Sequence, residues 1–220
     1  MKKVLVIDIG GTHVKVLASG HRERRRCPSG PGLTPRRMVA DVKKMIADWD
    51  YDVVSIGFPG RVARNKPISE PWNLGRGWTK FDFRLAFKRP VRIINDAAMQ
   101  ALGSQRKGSM GSMLFLGLGT GLGTALIAGG VLVPMELAHL PYRNGTYEDY
   151  LGLRGLERMG RKKWQKHVET CVTNLVAAFQ LDDVVIGGGN VKKLTKLPSA
   201  CRQGNNANAF LGGFRLWESQ

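Results

Sequence analysis

Twice in this chain an apolar run stops at a cluster of glycines and a second apolar run begins at once. Residues 4–18 read VLVIDIGGTHVKVLA, and residues 112–128 read SMLFLGLGTGLGTALIA. A short, continuous apolar run is the pattern of a strand buried on both faces. A glycine connection of a few residues is too short for a parallel crossover, so the second run must return antiparallel beside the first. The spacing therefore predicts one hairpin near residue 10 and a second near residue 120. Further apolar runs follow each, at Val53–Phe58 and Val91–Asn95 and then at Val184–Ile186. The expected class is α/β, with a repeated organisation.

Helical signals fill the intervals. Thr34-Pro35 is a hydroxyl cap followed by a first-turn proline, and Met38, Val42, Met45, Ile46 and Trp49 recur at helical spacing. A short helix is expected over 81–87, one from Ala97 to Gln105, two over 147–159 and 161–180, and a last one near 208–217. The basic stretch 20–35 reads as an edge strand and loop. Residues 59–80, rich in Gly, Pro, Asn and Trp, read as an ordered functional loop. Gly103, Gly108 and Gly111 suggest a hinge at 96–111, dividing an N-terminal lobe (1–105) from a C-terminal lobe (106–220), with the final helix able to pack back on the first lobe.

The glycine turns have the parts for phosphate chemistry. Glycine lets backbone amides approach a ligand, and consecutive turn amides form an anion nest. At the first turn Gly10 and Gly11 are joined by the Thr12 hydroxyl and the Lys15 ammonium. Asp8 is able to hold a magnesium ion, directly or through water. The spacing is not that of a Walker A loop. Read alone, the stretch also fits a tight hairpin in which Asp8 is only a turn acceptor. Around Gly119, Thr120 and Gly121 a GxGxxG-like string occurs, but a strand rather than a helix follows, which argues against a dinucleotide fold. Gly187, Gly188 and Gly189, before Asn190, follow a strand and are expected to open a helix. Asp96 stands where a strand ends and a helix begins, a position suited to a general base or simply to a helix N-cap. Glu136 and His139 can bind adjacent sugar hydroxyls or be an ordinary surface pair.

Charge narrows the partners. Lys and Arg number 34 against 17 Asp and Glu, a net charge of +17, which attracts polyanions or simply aids solubility. The three cysteines are far apart, which disfavours a disulfide framework or a CxxC zinc site. No apolar run approaches the roughly 20 residues of a membrane span, and Asp8 interrupts the N-terminal run too early for a signal peptide. A cytoplasmic protein, with neither a membrane nor a specific nucleic acid as partner, is expected.

Taken in order, the motifs resemble those of the ROK sugar kinases, of the actin/hexokinase/Hsp70-like superfamily. Asp8-x-Gly10-Gly11-Thr12-x-x-Lys15 resembles their first phosphate motif, Gly119-Thr120-Gly121-x-Gly123 the second, and Val185-Ile186-Gly187-Gly188-Gly189-Asn190 the third. The likeness runs from residue 4 to about residue 217. Residues 147–152, 156–164 and 206–214 resemble the polyphosphate glucokinase branch. The resemblance implies a two-lobed actin-like (ribonuclease H-like) fold, with duplicated mixed sheets and a cleft between them. It makes Asp96 the catalytic base. It puts Asn95, Glu136, His139, Glu148, Asn73 and the Phe58-Pro59-Gly60 loop on glucose, with Ala138 replacing a family glycine. It implies magnesium as cofactor, polyphosphate or ATP as phosphoryl donor, and a homodimer. Residues 140–147 lack the cysteines of the family's zinc site, so no zinc is expected. Few residues separate Lys193 from the last helix, which leaves little for an adenosine pocket and favours polyphosphate. An ATP-dependent hexokinase is the alternative. A sugar-responsive regulator or a silent sugar binder is a third reading; the regulators carry a helix-turn-helix domain ahead of the first motif, which here begins at residue 8.

Overall fold

A computed structural model of the chain describes residues 2–218. Its first sheet grows from β1 (Val4–Ile9), buried along its whole length. β2 (His13–Ala18) returns antiparallel, pairing Asp8 with Lys15 and Ile9 with Val14. β3 (Arg25–Pro28) adds an antiparallel edge. On the other side of β1, β4 (Val53–Phe58) runs parallel, and β5 (Val91–Asn95) runs parallel to β4. The spatial order is β3-β2-β1-β4-β5.

The second sheet repeats that plan strand for strand. It contains β6 (Met113–Leu118), β7 (Leu122–Ala128), β8 (Val131–Met135), β9 (Asp183–Gly187) and β10 (Cys201–Gln203). The order is β8-β7-β6-β9-β10. β6, β7 and β8 are antiparallel neighbours, while β9 and β10 are added parallel. Each hairpin forms for the reason read in the sequence: a buried central strand, a three-residue glycine connection and a returning strand.

Helix α1 (Pro35–Met45) starts at the expected cap, with the Thr34 hydroxyl accepting from the Arg37 amide at 3.3 Å. Met38, Val39 and Val42 bury its apolar face. α2 (Phe83–Phe87) is shorter than expected, because the Asp82 carboxylate caps it by accepting from the Leu85 amide at 3.0 Å. α3 (Asp96–Ser104) follows β5 directly. The pair expected over 147–180 is divided differently. α4 (Tyr147–Leu151) is started by a Thr146–Asp149 capping box, and α5 (Leu153–Phe179) kinks at Gly160, where φ is 74°. α6 (Asn208–Arg215) ends the regular structure.

One expectation is corrected. Gly187-Gly188-Gly189 opens no helix; only a 3-10 turn, Val191–Lys193, follows. The Asn190 amide donates to the Leu118 carbonyl at 2.9 Å, which draws the chain across β6 instead of propagating a helix. Beyond Ala128, Gly129-Gly130 turns the chain into a further strand that the sequence reading does not include. Both glycines have positive φ, 57° and 79°, as a two-residue hairpin requires, and β8 pairs back on β7.

Packing divides the chain into two units, one holding residues up to Met99 with the segment from Ala209 on, the other Gln100–Asn208. The chain leaves the first unit within α3 and re-enters it at α6. In the first unit, one core joins Leu5, Ile7, Ile56 and Phe58 to α1, Trp78 and Phe83. A second, on the opposite face, joins Val4, Val6 and Val53 to Met99 and Phe210. Gly213 of α6 has no room for a side chain, since a Cβ there would lie 2.3 Å from Val6. In the second unit, Leu114, Leu116, Val184 and Ile186 pack against Trp164, Val168, Val172 and Leu175 of α5. Each fully buried large side chain contributes about 1.5–3 kcal/mol.

Candidate functional site

In the first unit, three neighbouring parallel strands end together. Asp8 of β1 is in register with Gly57 of β4, and Gly57 with Ile94 of β5. Strands are about 4.8 Å apart, so Asp8 and the Asn95-Asp96 pair lie about 10 Å from one another along a single row. The carboxyl ends of parallel strands are where open α/β sheets bind ligands. The Phe58-Pro59-Gly60 loop leaves the same row from the middle strand.

Asp8 is buried, and the Lys15 ammonium sits 3.3 Å from its Oδ2. Burial pushes the Asp8 carboxyl above its ordinary value, while the charge and hydrogen bond of Lys15 pull the other way without cancelling it. Beside it, the turn has its carbonyls tied. The Ser29 hydroxyl donates to Gly10 O at 2.6 Å and the Ser29 amide to Thr12 O at 3.0 Å. No protein acceptor among the described residues takes the amide hydrogens of Gly11 or Thr12. Both residues are exposed. Tied carbonyls and open amides make a nest for anions.

The loop with Asn73 reaches this turn: a Cβ on Gly11 would lie 3.7 Å from the Asn73 side chain. What holds the loop is Glu70, which sequence reasoning missed. Its carboxylate accepts from the amides of Gly77, Trp78 and Thr79 at 3.0–3.3 Å and from the Thr79 hydroxyl at 2.9 Å. Burial pulls this carboxyl up, but the hydrogen bonds from Trp78, Thr79 and Gly77 outweigh it and hold it below its usual value. The signal was available, since Glu70 is the lone acid between Asp52 and Asp82.

Phe58 is fully buried, its ring 5.6 Å from that of Trp78. Its side chain therefore belongs to the core, and only its backbone is placed to serve a ligand. The Gly60 amide folds back on Phe58 O at 2.9 Å, and Asn95 Nδ2 donates to Gly60 O at 3.2 Å. The two roles weighed for Asp96 separate here. Asn95 is the cap, its Oδ1 accepting from the amides of Ala97 and Ala98 at 2.9 and 3.1 Å. Asp96 is the first helical residue, half-buried, with Oδ1 also accepting from the Ala97 amide at 2.8 Å. The start of a helix stabilises negative charge.

In the second unit, Gly117 of β6 is in register with Gly187 of β9, so the second and third glycine motifs also sit at adjacent parallel strand ends. Thr120 is exposed, and the amides of Thr120 and Gly121 have no protein acceptor among the described residues. The turn carbonyls are again taken. Asn190 Nδ2 donates to Gly119 O at 2.9 Å, and the Leu153 amide donates to Gly119 O and Thr120 O at 3.1 and 3.2 Å. Asn190 thus braces the second turn with its side chain. Glu148 also acts as a brace: its Oε2 accepts from the Leu122 amide at 3.0 Å. Gly188 needs to be glycine, with φ at 86° and a Cβ that would fall 2.4 Å from Leu118 O. Glu136 precedes the 3-10 turn Leu137–His139 and His139 ends it, both exposed. Buried Thr124 fixes that turn, donating to Met135 O at 2.8 Å and accepting from the Leu137 amide at 3.1 Å.

Among the described residues, no group of three or more His, Cys, Asp or Glu side chains is placed to hold a metal. No helix there is long and apolar enough to cross a membrane.

Comparison with known proteins is consistent with this geometry. The model of the ROK family matches residues 4–134. A glucokinase of Pyrobaculum calidifontis is 30% identical over 138 residues, covering 60% of this chain and 46% of that protein, so the match spans less than half the relative's length. A polyphosphate glucokinase of Mycobacterium tuberculosis is 25% identical over 209 residues, 86% of this chain and 78% of that one. The crystal structure of an inorganic polyphosphate/ATP-glucomannokinase from Arthrobacter sp. strain KM superposes with a TM-score of 0.83 at 24% identity, covering 97% of each chain. At that identity the likeness is one of fold.

Proposed function

The chain belongs to the ROK family and has its actin-like α/β fold, and from that premise we propose that it is a sugar kinase transferring a phosphoryl group to the 6-hydroxyl of glucose. The donor is inorganic polyphosphate, with ATP also accepted. The observation that carries the reading is the row of strand ends in the first unit, where Asp8, the Phe58–Gly60 loop and Asn95-Asp96 share one edge.

In this reading Asp96 accepts the proton of the glucose hydroxyl as the oxygen attacks phosphorus. A positioned base of this kind is worth about 10²–10⁴ in rate. Asn95, the residue before the base, caps α3 and so fixes where Asp96 begins the helix, and through Gly60 it also fixes the adjoining loop. Asn73, Glu136 and His139 contact the sugar hydroxyls, and Glu148 joins them through Oε1, which lies 3.9 Å from Arg154. The open amides of Gly11, Thr12, Thr120 and Gly121 hold donor oxygens, helped by Lys15. Gly187–Gly189 leave room for the donor beside the second turn.

Asp8 is one buried carboxylate with a cationic neighbour. That donor set suits a cation that keeps most of its water and shares phosphate oxygens, as magnesium does. When bound there, magnesium neutralises charge on the transferred group.

Two facts support polyphosphate. A relative matched over most of its length is a polyphosphate glucokinase, and the net charge of +17 favours a long polyanion, which gains free energy by releasing its counterions. The Pyrobaculum glucokinase keeps an ATP-dependent hexokinase as the second reading. A cytoplasmic homodimer is the assembly this family membership supports.

The test is Asp96→Asn. Turnover should fall by about 10²-fold or more, while glucose affinity measured by calorimetry stays within a few-fold. Turnover at the native level would remove Asp96 from the role of base.

A further inference from the structure

A cavity of about 680 Å³ lies at the far end of the β1–β2 hairpin from the glycine turn. Lys2 and Val4 at the start of β1, His21 after β2, and Phe214, Trp217 and Glu218 after α6 form its walls. Val4 and Asp8 are four residues apart along β1, so about 13 Å separates this cavity from the row of strand ends. None of its groups serves the proposed transfer.

The walls are built rather than loose. The Ser19 amide donates to Val4 O at 3.0 Å, and the Val4 amide donates to Ser19 Oγ at 3.0 Å. Gly20, which also lines the cavity, has φ at 85° and no atom within 4 Å of where a Cβ would stand. Trp217 is held from behind. Its Nε1 donates to Ser55 Oγ at 2.9 Å, and that hydroxyl, fully buried in β4, donates to Gly213 O at 2.6 Å. Arg92 and Lys2 lie over the indole, 4.4 and 5.5 Å from its centroid.

This volume is within the range of small-molecule sites, which are mostly apolar with a few placed polar groups. Val4, Phe214 and Trp217 offer an apolar and aromatic wall. Lys2 and His21 stand at the rim against a single acid, Glu218, in a molecule of net charge +17. A bare phosphate chain would leave the aromatic wall uncovered, and a neutral ring would leave unanswered the positive excess of Lys2 and of Arg92 over Trp217, which Glu218 alone does not balance. We infer that this cavity is a second small-molecule site, which takes a planar aromatic compound bearing one anionic group, of the aromatic carboxylate class. The ring lies against Phe214 and the part of Trp217 left open by Arg92 and Lys2, and the anion meets Lys2.

Indole-3-carboxylate, titrated calorimetrically into the full chain at moderate salt, tests this, with indole as the uncharged control. The carboxylate should bind saturably with one site per chain and about fivefold more tightly than indole. Lys2→Glu, at an exposed position, should weaken the carboxylate about fivefold and leave indole unchanged. Trp217→Ala should abolish both. Because that variant also loses the Ser55 bond, its melting temperature is measured alongside, and Lys2→Glu carries the test if it unfolds. Absence of saturable binding, equal affinity for indole and its carboxylate, or undiminished binding of the carboxylate to Lys2→Glu would overturn the inference. Sugar phosphorylation plays no part in the readout, so this site and the kinase reading stand or fall separately.

Discussion

The two glycine hairpins share a backbone plan and differ in what they carry. Each connects its strands through three residues, Gly10–Thr12 and Gly119–Gly121, with carbonyls tied and middle amides open. Counted back from the turn, Asp8 of the first corresponds to Gly117 of the second, and their cross-strand partners are Lys15 and Gly123. The first turn therefore has charge beside it and is tied by one residue, Ser29. The second has no charge at those positions and is braced from three directions, by Asn190, Leu153 and Glu148. One backbone device has been specialised for electrostatics in one copy and for fixed geometry in the other.

Exchanging these features is the way to break the comparison, and Asp8 is where the largest effect is expected. Asp8→Asn should lower turnover by about 10²-fold or more, the scale of losing one preorganised charged group at a transferring phosphoryl. Its effect on stability should run the other way. Burial raises the folded-state value of Asp8, so the folded chain holds this proton more tightly than the unfolded one. Stability from this group is thus greatest at low pH and declines as pH rises from the ordinary 3.8 through the raised folded value. At neutral pH Asp8→Asn should melt no lower than the parent. A clear fall in melting temperature would mean that the Lys15 pair outweighs burial.

The bracing of the second hairpin predicts damage of a different kind. Gly188→Ala combines a left-handed φ with a Cβ placed 2.4 Å from Leu118 O, and should cost about 3 kcal/mol in denaturant unfolding. Gly189→Ala, with nothing within 4 Å of its Cβ, should cost about 1 kcal/mol or less. Equal losses at the two positions would show that the contact with β6 does not govern the third motif. The smallest effect is at Glu148. Glu148→Ala leaves the Leu122 amide without its acceptor and should cost about 1 kcal/mol, whereas Glu148→Gln keeps an acceptor and should be nearly neutral in a thermal melt. If Gln destabilises as much as Ala, the charge rather than the hydrogen bond holds the turn.

Much of the frame was legible. The central strands β1, β4, β6 and β9 are continuous apolar runs, and Thr34-Pro35 marks the start of α1, because burial and capping leave local signatures. β8 was not legible. Its Val131 and Val133 are exposed and Pro134 interrupts it, so only the Gly129-Gly130 pair announced a return strand. Asn95 and Asp96 are both good caps, and only the structure assigns that task to Asn95. The braces were invisible for another reason: Asn190 reaches Gly119 across 71 residues and Glu148 reaches Leu122 across 26, separations for which a single sequence carries no periodicity. Phe58 illustrates the same limit, since a loop motif indicated the position but not that its ring turns inward onto Trp78.

The most direct test of the account is the initial rate of glucose 6-phosphate formation by the purified chain with magnesium, using polyphosphate in one series and ATP in the other. The account predicts product with polyphosphate, at a rate that falls steeply as salt is added, and a smaller, less salt-sensitive rate with ATP. No product from either donor, under conditions where the chain is folded, would contradict it.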